Sequence, residues 1–229
     1  MSGAGAIPHG TTVLAVRHRD GVVLAGDRRA TAGNLISHST VEKVFPADRW
    51  SGVAIAGAAG PAIEMVRLFQ LQLEHYEKVE GTSLSLEGKA NQLSQMIRDH
   101  LPAAMQGLAV VPLFAGWDQR RRIGRLFQYD VTGGRYEEQD HATSGSGGLH
   151  AGTVLRLGYR EGMERGEAVD LALRALMTAA EADSATGGPD PRRGIWPIVA
   201  DIAEGGFIAV EESELEDRHT RILAEGSAS

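Results

Sequence analysis

Three groups of residues carry functional groups suited to chemistry. Thr11-Thr12 places two hydroxyls directly after Gly10. Asp27, in Gly26-Asp27-Arg28-Arg29, lies sixteen residues after Thr11, and Lys43, in Val41-Glu42-Lys43-Val44, sixteen after Asp27. The third group is a pair of small-residue loops, Ser144-Gly145-Ser146-Gly147-Gly148 and Asp183-Ser184-Ala185-Thr186-Gly187-Gly188. Hydroxyl, carboxylate and ammonium are the parts of an activated oxygen nucleophile. Taken singly, each group has a plainer reading. A Thr-Thr pair at a strand start is β-propensity, charges after a strand make a solvated turn, and small-residue loops cap helices or turn the chain.

Other chemistries are disfavoured. Cysteine is absent, which removes thiol nucleophiles, thiolate metal sites and disulfides. His18, His38, His75, His100, His141, His150 and His219 show no metal-ligand spacing such as HExxH, so no metal is expected. The glycines of 145–152 lack the GxGxxG spacing and follow no βαβ unit, so no dinucleotide or other cofactor is expected. Arg120, Arg121, Arg122 and Arg125 form a basic run near a strand start and read as a solvated turn or a surface contact with another subunit rather than as a nucleic-acid site.

The elements that must position these groups are legible in the hydrophobic pattern. Runs 11–16 and 22–26 around Asp20-Gly21 predict a β-hairpin, and 52–56 and 109–115 predict two further strands. These runs are nearly continuous rather than alternating, which implies sheets covered on both faces. Ile63, Val66, Phe69, Leu73 and Tyr76 share one helical face, with Pro61 in a first turn, and Leu86, Ala90, Leu93, Ile97 and Leu101 share another. Segments 125–131 and 135–142 flank Thr132-Gly133-Gly134 as a second hairpin; 148–163 and 166–182 read as helices. Strands over 195–202 and 207–210 and a charged helix from about Glu212 complete the chain. Strands, two helices, strands, two helices, strands, helix is the order of two antiparallel sheets between helix layers, an α+β fold.

Composition sets the outer limits. With 30 acidic against 23 basic side chains among 229 residues, the net charge of −7 argues against a nucleic-acid partner. A hydrophobic share of 42% supplies a substantial core, and no run approaches the roughly 20 apolar residues a membrane-spanning helix needs. Residues 1–10 carry no Lys or Arg and no apolar run of signal-peptide length. A cytoplasmic protein is the expectation.

Taken together, Thr11-Thr12, Gly26-Asp27-Arg28-Arg29, Lys43, the run Val53-Ala54-Ile55-Ala56-Gly57, Gly145-Ser146-Gly147 and 183–188 resemble the catalytic β-subunits of the 20S proteasome. The likeness covers residues 11 to about 210, and LEHYEKVE (73–80), AAMQG (103–107) and DSATGGPD (183–190) resemble the actinobacterial branch. The resemblance implies the four-layer αββα sandwich of N-terminal-nucleophile hydrolases, with 11–229 a single domain and 1–10 a leader removed by cleavage of the Gly10–Thr11 bond. It implies a threonine peptidase whose nucleophile is Thr11, whose freed α-amino group accepts the proton, and whose Lys43 and Asp27 charge the site. Ser146, Asp183 and Thr186 would hold the amino group and a water, and Gly57 would supply an oxyanion-hole N–H. Ala30, Thr31, Val41, Phe45, Ile55 and Ala59 would form an uncharged specificity pocket, with substrate pairing as an added strand along the Thr31 and Gly57 segments. Implied partners are α-subunits, other β-subunits in stacked heptameric rings, an ATP-dependent ring unfoldase and substrates tagged with a ubiquitin-like modifier. The alternatives are a hexameric-ring relative that also begins Thr-Thr, and a non-catalytic ring subunit.

Overall fold

The computed structural model describes residues 10–33 and 35–226; the leader expected over 1–10 therefore lies outside the described residues except for Gly10. The first hairpin is β1 (Thr12–His18) and β2 (Gly21–Gly26), and every residue of both strands but Arg17 is buried. Successive side chains point to opposite faces. Val13, Ala15, Val22 and Leu24 enter one core, while Leu14, Val16, Val23 and Ala25 enter another. Burial on both faces explains why these strands read as continuous apolar runs.

A short hairpin follows, β3 (Ala30–Ala32) and β4 (Leu35–His38), then β5 (Val44–Asp48) and β6 (Ser51–Ala54). Helices α1 (Ala59–Glu80) and α2 (Leu86–Ala104) lead to β7 (Leu113–Asp118), β8 (Ile123–Tyr129), β9 (Arg135–Glu138) and β10 (His141–Gly145). Helices α3 (Gly148–Gly158) and α4 (Arg165–Ala182) precede β11 (Ile198–Ala203), β12 (Gly206–Ala209) and α5 (Glu212–Gly226). Two five-stranded antiparallel sheets result, ordered β10-β1-β2-β11-β12 and β5-β6-β7-β8-β9. Phe69, Leu73, Leu93 and Ile97 of α1 and α2 pack on Phe114 and Phe127 of the second sheet. Leu155, Leu173, Leu176 and Leu215 of α3, α4 and α5 cover the first. Val13, Leu24, Ala54, Leu113 and Leu126 fill the space between the sheets, which completes the four-layer αββα sandwich.

Several boundaries differ from the sequence reading, and prolines account for two of them. The strand expected over 109–115 starts at Leu113, after Pro112, and the one expected over 195–202 starts at Ile198, after Pro197. Proline has no N–H to give a ladder. Segment 135–142 is two strands rather than one: β9 pairs with β8 in the second sheet and β10 with β1 in the first. The chain changes sheet at Gln139-Asp140, where no glycine or proline signals it. The helix expected over 148–163 ends at Gly158, and 52–56 shortens to β6. Strands β3, β4 and β5 went unread, being short and broken by polar residues.

The arginine run is not a solvated turn throughout. Arg125 is buried and bonds Asp118 at 3.0 Å, Glu137 at 2.6 Å and Glu87 at 2.7 Å, while Arg122 pairs with Glu204 outside. Arg125 thus ties α2 to β7, β8 and β9 on the outer side of the second sheet. Removing one partner of a buried ion cluster leaves the others uncompensated. Arg125→Ala is expected to destabilise the fold by about 2–4 kcal/mol in denaturant titration, the lower end reflecting the partly exposed glutamates. A loss below about 0.5 kcal/mol would contradict this role.

Candidate active site

Strand register gathers the residues from distant parts of the sequence. Thr12 stands opposite Gly145 of β10, and Val13 opposite Gly26 of β2. Thr11 therefore emerges between the end of β2, where Asp27 follows, and the end of β10, where Ser146 follows. Lys43 directly precedes β5, Gly57 lies beyond β6, and Asp183 caps the C-terminus of α4. All of these element ends meet at one edge of the sandwich.

Asp27 is fully buried, and both of its oxygens are saturated. Oδ1 accepts from Thr12 N–H at 2.8 Å and from Lys43 Nζ at 2.6 Å. Oδ2 accepts from Arg29 N–H at 2.8 Å and Gly187 N–H at 2.9 Å. Lys43 also donates to the Arg29 carbonyl at 2.5 Å, so its ammonium is fixed between two acceptors. Burial lowers the Lys43 pKa below the ordinary lysine value and Arg29 pushes the same way, against the opposing pull of Asp27 and Asp183. The Arg29 guanidinium donates to Ser184 O at 2.9 Å, which joins this turn to the 183–188 loop.

On the other side of Thr11, Ser146 Oγ lies 3.3 Å from the Thr11 nitrogen and donates to Asp183 Oδ2 at 2.5 Å. Thr186, fully buried, donates to the same oxygen at 2.6 Å, and Asp183 Oδ1 accepts from Ala185 N–H at 3.1 Å. A carboxylate at a helix C-terminus opposes the helix dipole, so this placement does not serve the helix. Burial raises the Asp183 pKa, but the bonds from Ser146, Thr186 and Ala185, with the nearby His150, outweigh it and hold the carboxyl below its usual value.

Thr11 itself is buried, and its hydroxyl donates to the Gly10 carbonyl oxygen at 2.7 Å. The Gly10 N–H donates to Thr31 Oγ1 at 3.2 Å. Gly10 sits so close to the 183–188 loop that a Cβ built on it would lie 1.8 Å from the Ala185 Cβ and 2.7 Å from its Cα. Gly57 has φ +112°, and a Cβ there would lie 2.1 Å from the Ala109 carbonyl. Its bridge to Val110 is made through Val111 N–H to Ala56 O and Ala58 N–H to Ala109 O, so the Gly57 N–H stands outside the ladder.

Thr11, Lys43 and Gly57 share a narrow cleft of about 20 Å³ with Gly10, and Ala30, Thr31, Val41, Ile55 and Ala59 form its walls. Phe45 is not on those walls. It packs against the core beneath α1 and α2, because alternation in β5 sends Val44 between the sheets and Phe45 to the helix side. Beyond Gly57 a wider groove of about 620 Å³ runs past Val111, Gln128, Gly148 and Arg156. Among the described residues no group of three or more His, Asp or Glu is placed to hold a metal ion. Sequence reasoning did not single out Gly187 N–H, the Arg29 carbonyl or the Ala185 contact, and it gave the Thr12 hydroxyl no role of its own. The first three are backbone or packing features with no side-chain signal, and a strand-start threonine looks like β-propensity.

Two antiparallel sheets between helix layers, with a buried threonine just before a central strand, are the α+β sandwich of the N-terminal-nucleophile hydrolase fold. The model of the proteasome subunit family matches residues 7–189, and the chain belongs to that family. A proteasome subunit beta of Acidimicrobium ferrooxidans is 63% identical over 211 residues, 92% of this chain and 77% of the relative. One from Streptomyces griseus is 56% identical over 223 residues, covering 97% and 79%, and one from Jonesia denitrificans 52% over 232, covering 96% and 77%.

The fit around Gly10 makes a direct prediction. Gly10→Ala is expected to push its carbonyl away from the Thr11 hydroxyl and slow any cleavage of the 10–11 bond at least about 100-fold, read by intact mass over time. Adding Ala185→Gly should not restore the rate, since the Ala185 Cα and carbonyl also lie under 3.0 Å from the new Cβ. Cleavage of Gly10→Ala at the wild-type rate would contradict the packing argument.

Proposed function

We propose that this chain is the catalytic β-subunit of a proteasome core, a threonine endopeptidase that uses Thr11 twice, first on its own chain and then on substrates. The observation that carries the reading is the Thr11 hydroxyl, 2.7 Å from the Gly10 carbonyl oxygen and sharing a cleft with Lys43, whose ammonium pairs with the buried Asp27 behind it. In the first step Thr11 Oγ attacks the Gly10 carbonyl carbon through a five-membered ring, the C–N bond breaks, and Gly10 is left as an ester on the hydroxyl. The nitrogen takes up a proton and becomes the α-amino group. Water then hydrolyses the ester, giving a Gly10 carboxylate and a free Thr11.

In the second step a peptide carbonyl occupies the place that Gly10 holds. The free amine accepts the Thr11 hydroxyl proton, as Thr11 carries its own base with a reference pKa of about 7.7–8.0. The Lys43 charge favours the developing alkoxide, and the Gly57 N–H stabilises the tetrahedral oxyanion. Collapse to an acyl ester on Thr11 hands the proton to the leaving amine, and water held near Ser146 and Asp183 completes hydrolysis. Ala30, Thr31, Val41, Ile55 and Ala59 would receive an apolar side chain, since none of them is charged. An extended substrate would pair along Thr31 and Gly57 and continue into the groove past Gly148.

The same reading has this chain forming heptameric rings with its copies and docking on α-subunit rings. These would receive modifier-tagged proteins from an ATP-dependent unfoldase in the cytoplasm. The described residues contain no helix long and apolar enough to cross a membrane.

Two measurements test the reading. In particles assembled with α-subunits, intact mass should show a terminus at Thr11 that Thr11→Ala abolishes; a persistent leader in active particles would contradict it. Peptide hydrolysis should rise with pH as the amine loses its proton and fall again below the usual lysine range, because burial lowers the Lys43 pKa. Lys43→Ala should reduce kcat/KM at least about a thousand-fold, and a loss under tenfold would remove the lysine from the reaction.

A further inference from the structure

Thr12 has no part in the reaction described above, yet it touches both halves of the site. Its N–H donates to Asp27 Oδ1 at 2.8 Å, and its hydroxyl lies 2.6 Å from Thr186 Oγ1, with the residue fully buried. The direction of the second bond follows from proton counting. An ionised carboxylate only accepts, and a hydroxyl has one proton to give. Thr186 spends its proton on Asp183 Oδ2, so at its contact with Thr12 it must accept. Ser146 also spends its proton on Asp183 Oδ2, so it must accept from the Thr11 nitrogen.

Two chains of donors therefore converge on one oxygen. One runs from the Thr11 nitrogen through Ser146; the other starts at Thr12 and runs through Thr186. The pair is boxed in: a Cβ built on Gly147 would lie 2.3 Å from Thr12 Oγ1 and 2.7 Å from Thr186 Oγ1.

We propose that Thr12 is a positioning residue for Thr11, its hydroxyl setting the charge that Asp183 presents to the freed amino group while its N–H fixes Asp27. The inference rests on the assignment of Thr11 as nucleophile and of its nitrogen as proton acceptor. Each hydroxyl that accepts a bond becomes a better donor, so Thr12 strengthens the Thr186–Asp183 bond and draws charge from the carboxylate. Without it Asp183 presents more negative charge and the Thr11 amine holds its proton to higher pH. The other charged groups around this centre are Lys43, Asp27 and Arg29 from the strand ends and His150 from α3. None of them is altered by exchanging the Thr12 hydroxyl.

The test is kcat/KM against pH with a fluorogenic peptide, on assembled particles whose Thr11 terminus has been verified by mass. Thr12→Val keeps the shape and the strand propensity but removes the donor, and Thr12→Ser keeps the donor. The acid limb of Thr12→Val is expected to move to higher pH by about half a unit, lowering the rate about threefold on the acid side, while Thr12→Ser restores the wild-type limb. Should Thr12→Val retain its leader, the profile is read after a site-specific protease has removed a leader engineered in front of Thr11. An unmoved limb in Thr12→Val, or an equal shift in Thr12→Ser, overturns the proposal while the wild type remains active. Fully processed but inactive wild-type particles overturn the nucleophile assignment and this proposal with it.

Discussion

Asp27 is a carboxylate with no solvent left around it, and four donors from four separate segments converge on its two oxygens. Burying such a charge costs several kcal/mol unless its lone pairs are met and an opposite charge stands beside it. Both conditions hold only when β1, the turn after β2, the approach to β5 and the 183–188 loop reach the same point together. The site is thus a consequence of closing the sandwich correctly. A hydrophobic pair of similar volume would serve stability as well or better, so the retention of a buried Lys–Asp pair points to use rather than to folding alone.

Thr11 occupies the gap between this pair and a second carboxylate, Asp183, whose bonds all come from hydroxyls and a backbone N–H. Thr11 is held by its nitrogen on one side and by the Gly10 carbonyl on the other. The groups proposed to activate it toward a foreign peptide already surround the Gly10–Thr11 bond. Under the proposed function one constellation would serve both cleavage of that bond and turnover, with the chain as its own first substrate. The close fit of Gly10 against Ala185 shows how little freedom that bond has.

Much of this was legible in the sequence, for reasons specific to particular segments. The β1–β2 hairpin, the helix faces and the layer order follow from hydrophobic period, and the site residues followed from motifs that resemble a known family. The fold brings Thr11, Asp27, Lys43, Gly57, Ser146, Asp183 and Thr186 to one edge. It leaves Phe45 off the cleft wall, because strand alternation rather than nearness in sequence decides which face a side chain takes. The change of sheet at Gln139-Asp140 was illegible, since both flanking strands are short and nothing between them breaks the chain. Arg125 was misread because a buried arginine and a solvated one look alike until their carboxylate partners, one of them 38 residues away, are known.

The central claim is that Thr11 Oγ becomes covalently acylated during peptide hydrolysis. The most direct measurement is to quench assembled particles in acid while they turn over a slowly deacylating peptide ester, then locate the acyl group by tandem mass spectrometry. Acid prevents migration of the acyl group to the neighbouring amine. The account predicts a hydroxylamine-labile ester on the Thr11 hydroxyl, absent in Thr11→Ala. An acyl group on Lys43 or on Ser146, or turnover with no acylated residue, would contradict it.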